Sequence, residues 1–320
     1  MKTYYLLRIA SALSRYMPAM FGYWLASLMG GLVFYFVPSV RRSVMDNMRH
    51  VLPDSTVRQR RALARKVIRN QLKNYYDVVR LPHMKPEDVR NMITSIEGLE
   101  HLEAAVNAGK GVLVTGGHIG NFSVVAQLAA VLGYKAAIVA EDIKPEKLYQ
   151  YINELRGHFG VEMIRVGSAQ VRTVFKHLRS GGVLMVAGDR DVSDNGMPVQ
   201  FFDATADLPT GPVVLSLRMK VPLLPCFTRR LPNNKSILII SPPMEWELTG
   251  DHDLDVEVNM RKLADMLEDH IRKAPDQWVV LQRIWDKDYT AHERGDSTPA
   301  SEGIPPHVED QEPVPALAER

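Results

Sequence analysis

The sequence predicts an α/β fold: a mostly parallel central sheet flanked by helices, preceded by an N-terminal helical segment that associates with a membrane. Short apolar runs rich in Val, Ile and Leu alternate with helix-like stretches across residues 111–274, the pattern of a parallel sheet covered on both faces. With 320 residues and 46% hydrophobic side chains, the chain can bury one large core plus appendages. Met17–Val37, MPAMFGYWLASLMGGLVFYFV, carries no charge for 21 positions, close to the roughly 20 residues of a bilayer-crossing helix.

The N-terminal 55 residues read as the anchor. Pro18, Gly22, Gly30 and Gly31 interrupt a simple span, while Tyr23, Trp24, Phe34 and Tyr35 are aromatics that favour the lipid–water interface. Arg41, Arg42 and Arg49 follow directly, as positive-inside anchoring requires. A cleaved leader would need a shorter apolar stretch and a small-residue cleavage site. The formal net charge of +2 hides an asymmetry: residues 1–80 hold 14 Lys+Arg against 3 Asp+Glu, and the rest hold 25 against 34. A basic segment on an acidic body is drawn to an anionic surface. Residues 56–79 repeat Leu63, Val67, Leu72, Tyr75, Tyr76 and Val79 at helical spacing between arginines and lysines, a basic amphipathic helix.

The main domain is expected over residues 56–287. Strands are predicted at 111–117, 136–140, 160–166, 182–188, 221–230 and 236–243, with helices at 121–132, 145–158, 169–179, 209–219 and 254–274. WVVLQRIW, 278–285, closes the folded region. Residues 288–320 are expected to be a disordered tail: from Ala291 on, the chain is rich in Pro, Glu, Ser and Ala without an aromatic and lacks the means to bury a core.

Cys226 is the single cysteine, which excludes an internal disulfide framework and a cysteine-rich metal site and fits a reducing compartment. No GxGxxG or Walker loop signals a nucleotide. The segment VTGGHIGNFSVVAQL, 114–128, places His118 at the carboxyl end of a predicted buried strand, where open α/β sheets build their sites. A lone histidine is more often structural than catalytic, so its neighbours decide.

Those neighbours resemble the lysophospholipid acyltransferase superfamily, in the branch of lipid A biosynthesis and phosphatidylinositol mannoside acyltransferases. The likeness spans residues 1–287 and rests on GGHIGNFS (116–123), AEDIKPEKL (140–148), AGDRD (187–191), GMPVQFFDATADLPTGPVVLSLR (196–218), VPLLPCF (221–227) and PDQWVVLQRIW (275–285). In similar proteins the first block reads His, four residues, then Asp or Glu. By that match His118 is the general base that deprotonates an acceptor hydroxyl as it attacks an acyl thioester.

At the acid's place stands Ser123, which can accept a hydrogen bond but lacks the charge that fixes a catalytic imidazole. Asp203, Asp189, Asp191 and Glu141, in the other matched blocks, are the candidate substitutes. Failing them, the reaction runs on a less polarised histidine, or the chain is a catalytically silent lipid-binding homologue. Ser123 as nucleophile lacks the Gly-x-Ser-x-Gly elbow. Arg190 between its two aspartates is either a structural ion pair or, as the resemblance implies, a contact for a phosphate or polar head. Thr210 and Gly211 open a helix whose first amides either hold an anion or oxyanion or are simply capped. Asn121, Glu141, Asp189, Arg190, Asp191, Thr210 and Gly211 are thus the expected substrate contacts.

The resemblance implies transfer of a fatty acyl chain to a hydroxyl of a lipid or glycolipid at the cytoplasmic face of the cell membrane. The expected donor is an acyl thioester of coenzyme A or acyl carrier protein. No metal, prosthetic group or nucleic acid is expected; membrane lipids and the carrier protein are the expected partners.

Overall fold

The computed structural model describes residues 2–192 and 196–285; the tail expected at 288–320 lies outside them. Four helices come first: α1 (Lys2–Ser14), α2 (Ala19–Phe36), α3 (Pro38–Val51) and α4 (Val57–Arg80). Thr56 starts α4 with a capping box closed by Gln59, which satisfies amides the helix cannot pair internally. Then follow α5 (Pro86–Asn91), β1 (Ile93–Glu97), α6 (Leu99–Asn107), β2 (Val112–Gly116), α7 (Phe122–Val131), β3 (Ala136–Ala140), α8 (Glu146–Arg156), β4 (Glu162–Arg165), α9 (Val171–Arg179) and β5 (Val183–Ala187). The chain continues with β6 (Met197–Phe201), β7 (Ala204–Leu208), α10 (Gly211–Met219), β8 (Leu223–Arg230), β9 (Ser236–Ile240) and α11 (His252–Lys273).

Seven strands form one sheet in the order β1-β9-β8-β2-β5-β3-β4. Strands β8, β2, β5, β3 and β4 run parallel; β9 reverses against β8, and β1 runs with β9. Alternation along the strands builds two apolar layers. Leu113, Leu184 and Leu223 face one layer with Met260, Leu263 and Leu267 of α11, while Val112, Val183 and Leu224 face the other with Val124 and Leu128 of α7. Cys226 lies partly buried in β8, its thiol pushed up to about 12 by desolvation.

Each predicted strand and helix is present within a few residues of its expected bounds, and the α/β class with a mostly parallel, helix-flanked sheet is as the sequence indicates. Helices α5 and α6 went unpredicted, as did three strands. Strand β1 sits at the sheet edge, and β6 and β7 form a separate antiparallel hairpin. The hairpin turn is Phe202-Asp203, with Phe202 at φ 57. That conformation is usually signalled by Gly or Asn, and here it is secured by the Phe202 amide donating to Glu268 at 2.7 Å.

The N-terminal helices belong to the same compact unit, which runs to Trp285. Gly22, Tyr23, Ala26, Gly30 and Phe34 of α2 are buried on one face, and α4 packs there. A Cβ at Gly30 would stand 2.7 Å from the Cα of Arg69, so only glycine permits this approach. The opposite face, with Met20, Trp24, Leu28 and Phe36, is exposed. Among the described residues α2 is the one helix long and apolar enough to cross a membrane.

Candidate active site

The site forms where β3, β5 and β2 end side by side. Because these strands are parallel neighbours, the segments that leave their carboxyl ends converge: Glu141 after β3, Asp189 and Arg190 after β5, and His118 after β2. Gly120 turns the His118 segment at φ +59; a Cβ there would lie 2.5 Å from Thr228 Oγ1 and 2.7 Å from the Thr228 carbonyl. Asn121 then starts α7 with its amide donating to Thr228 Oγ1 at 2.9 Å.

His118 meets a carboxylate that the sequence offers only as one of four. Its Nδ1 lies 2.7 Å from Asp189 Oδ1, and its backbone amide donates to Asp189 Oδ2 at 2.7 Å. The Trp278 indole also donates to Oδ2, at 2.9 Å. Asp189 is fully buried. Burial alone would raise its pKa; the charge of His118 and the hydrogen bonds from His118 and Trp278 together outweigh burial and hold the carboxyl below the usual range. With Nδ1 engaged, the acceptor side of the ring is Nε2, and the side chain keeps 24% exposure. Phe122 packs edge-on against the imidazole, ring centres 4.9 Å apart.

The segment after α11 braces this loop. Val279 donates to the His118 carbonyl at 2.9 Å, and Gly120 donates to the Gln277 carbonyl at 2.9 Å. On the other side Asn74 of α4 donates to the Gly120 carbonyl at 2.8 Å. Asn74 is itself held by Arg230 at 2.6 Å, and Arg230 also binds Asp77 at 2.7 Å. Asp77 accepts the Tyr23 hydroxyl of α2 at 2.6 Å. A buried chain of hydrogen bonds therefore links the apolar helix to the histidine loop.

The structure places the other expected residues at several different points. Asp203 is at the hairpin turn, 2.5 Å from Nδ1 of His50, whose ring stacks on Trp285 with centres 4.2 Å apart; it faces His50 and not His118. Asp191 accepts from the Gly196 amide at 2.6 Å. Arg190 pairs with Glu141, joining two of the expected contacts. Asn121 is fully buried, with Oδ1 and Nδ2 both lacking a hydrogen-bond partner. Ser123 is buried in the first turn of α7. Thr210 and Gly211 start α10, which runs back to the amino end of β8 and so opens toward the edge that carries His118. Thr210 makes no side-chain cap bond.

Sequence reasoning missed Arg156. It ends α8 with Nε shut from solvent and without a partner. Burial lowers its pKa, against the pull of Tyr75 and Glu141. A desolvated guanidinium beside Glu141 is an anion contact in waiting, yet in sequence it looks like any helix-terminal arginine. Among the described residues no group of three or more His, Cys, Asp or Glu could hold a metal ion.

A family model described as bacterial lipid A biosynthesis acyltransferase matches residues 1–287. A phosphatidylinositol mannoside acyltransferase of Mycobacterium tuberculosis is 28% identical over 222 residues, covering 68% of this chain and 68% of the relative. One of Mycolicibacterium smegmatis is 25% identical over 238 residues, 72% of this chain and 75% of the relative.

Proposed function

As a member of the bacterial lipid A biosynthesis acyltransferase family, this chain is a lipid or glycolipid acyltransferase, and we propose that it works with His118 as general base and Asp189 behind it. The acyl chain comes from a thioester of coenzyme A or acyl carrier protein. The acceptor hydroxyl gives its proton to His118 Nε2 as its oxygen bonds to the thioester carbonyl carbon. Asp189 keeps the proton of Nδ1 in place and stabilises the imidazolium without taking the proton itself. The carbonyl oxygen becomes an oxyanion, for which Arg156, Arg190 and the first amides of α10 are the available donors. The C–S bond then breaks, the ester carbonyl re-forms, and the thiolate receives the proton from His118.

The observation that carries this reading is the 2.7 Å contact between His118 Nδ1 and a fully buried carboxylate. It also removes the reason for a catalytically silent homologue, which was the missing acid at Ser123. The test is acyl transfer by the full chain carrying His118→Ala, with donor binding and melting temperature measured alongside. The expected loss is about 10² to 10⁴-fold, with binding and stability near the parent. Retained transfer by a folded His118→Ala protein would falsify the assignment.

We place the enzyme on the cytoplasmic face of the membrane, with α2 in the plane of the interface. Helix α4 lies along α2 and carries Arg58, Arg65, Lys66, Arg69 and Lys73. If α2 crossed the bilayer, those cations would be dragged toward hydrocarbon at about 2.5–3.5 kcal/mol each near its centre. An apolar face turned outward above a basic body suits an interfacial helix.

A further inference from the structure

The face of α4 beneath α2 carries two cations, Arg69 and Lys73, one turn apart and without an ion-pair partner among the described residues. Arg69 lies against the glycines of α2: a Cβ at Gly31 would stand 3.4 Å from its Nη2. Its Nε is shut from solvent and has no hydrogen-bond partner. Lys73 is held below the ordinary lysine pKa, first by burial, then by the positive charge of Arg230, with Arg69 adding to it and Asp77 opposing. Asp77 is the one acid whose charge reaches Lys73, and its oxygens are already engaged. Oδ1 takes Tyr23 at 2.6 Å and Arg80 at 3.6 Å, and Oδ2 takes Arg230 at 2.7 Å. Asp276, which also meets α4, offers only its backbone carbonyl, to Asn70 at 2.8 Å.

Four cations thus share one carboxylate in a partly desolvated cluster, an arrangement that costs free energy unless an anion completes it. The cluster sits directly under the lipid-facing helix, so the anion at hand is one borne by lipid. A guanidinium offers a planar fork for phosphate oxygens and a lysine a mobile point charge. We propose that Arg69 and Lys73 form a binding site for the phosphate of a membrane lipid headgroup, reached from the interface beside the Gly30-Gly31 notch of α2. The site is separate from the His118–Asp189 pair, and its readout is binding and not acyl transfer.

The test titrates the full-length protein with vesicles of phosphatidylcholine alone and of phosphatidylcholine with phosphatidylglycerol, read by co-sedimentation. The double variant Arg69→Gln/Lys73→Gln is compared with Arg58→Gln/Lys66→Gln, which removes the same charge from exposed positions of α4. The site pair is expected to lose roughly tenfold more affinity for the anionic vesicles than the control pair. Equal losses would mean a diffuse basic face and overturn the proposal. Inorganic phosphate separates the two sources of the anion. A rise in melting temperature is expected with the anionic vesicles only, and an equal rise with inorganic phosphate overturns the lipid assignment. Lys73→Met guards against a folding defect in the double variant. Because it relieves repulsion with Arg230, it is expected to raise the melting temperature of the lipid-free protein while weakening vesicle binding. A fall in both would make Lys73 a structural residue and sink the idea.

Discussion

Asp189 receives a ring nitrogen, a backbone amide and an indole on two oxygens, so replacing it tests charge and shape separately. Asp189→Asn keeps the size and loses the charge; acyl transfer should fall by about 10² to 10⁴-fold while the protein still folds. Its pKa is lowered in the native state. The ionised carboxylate therefore contributes stability that is fully present above the unfolded value of about 3.9 and is lost as pH falls through the native one. The melting temperatures of parent and Asp189→Asn should differ at neutral pH and converge in acid; a gap that widens in acid would contradict the pairing. Ser123→Ala, by contrast, should leave transfer near the parental rate, because the carboxylate is already supplied, and its loss would restore Ser123 as a candidate participant. His118 was legible in the sequence because glycines, a strand end and a helix start surround it. Its partner was one acid of four, since residues 71 positions apart meet only because β2 and β5 are neighbours, and strand order leaves no trace in local spacing. Arg156 was illegible for a similar reason: desolvation is a property of the packed site.

The elements place the histidine loop under two constraints, a backbone turn and a side-chain brace. Gly120→Ala meets both a positive φ and a 2.5 Å clash with Thr228, so a loss of about 1–3 kcal/mol is expected, read by chemical denaturation. Asn74→Ala removes the donor to the Gly120 carbonyl and leaves Arg230 short of a partner. A buried acceptor without its donor costs about 1–3 kcal/mol, and kcat should fall more than KM rises if the loop rather than substrate contact is disturbed. An effect on KM alone would argue against this brace. The parallel strands and their helices were readable because each is a short apolar run between turn residues. Hairpin β6–β7 was not, because Phe202 takes its positive φ under the hold of Glu268, and β1 was not, because its ITSIE segment holds only two apolar residues. For α2 the composition revealed an apolar helix but not its partner: the Gly30 approach to Arg69 belongs to tertiary packing.

At the scale of the whole molecule, the outward face of α2 and the basic N-terminal 80 residues are expected to act together at a membrane. The full chain should sediment with anionic membranes and release only partly in high salt, because salt screens the charges and leaves the apolar contact. Complete release by salt would reduce α1 and α2 to a soluble element. Deleting residues 1–45 should yield insoluble protein, since it strips the cover from Val67 and Ile68, both fully buried. The sequence predicted an apolar N-terminal segment beside an α/β domain; the buried chain from Tyr23 through Asp77, Arg230 and Asn74 to Gly120 joins α2 to the histidine loop. The muted chemistry of Cys226 has a practical use here. A thiol with a pKa pushed up to about 12 is almost wholly protonated at neutral pH and reacts slowly with maleimides, so the chain gives a silent background for a single added reporter. Cysteines introduced one at a time at Met20, Leu28 and Phe36, which are 66%, 45% and 78% exposed, would each carry a polarity-sensitive fluorophore. A helix lying flat gives three similar, shallow quenching depths; a helix standing upright buries the fluorophore at position 28 far deeper than the other two.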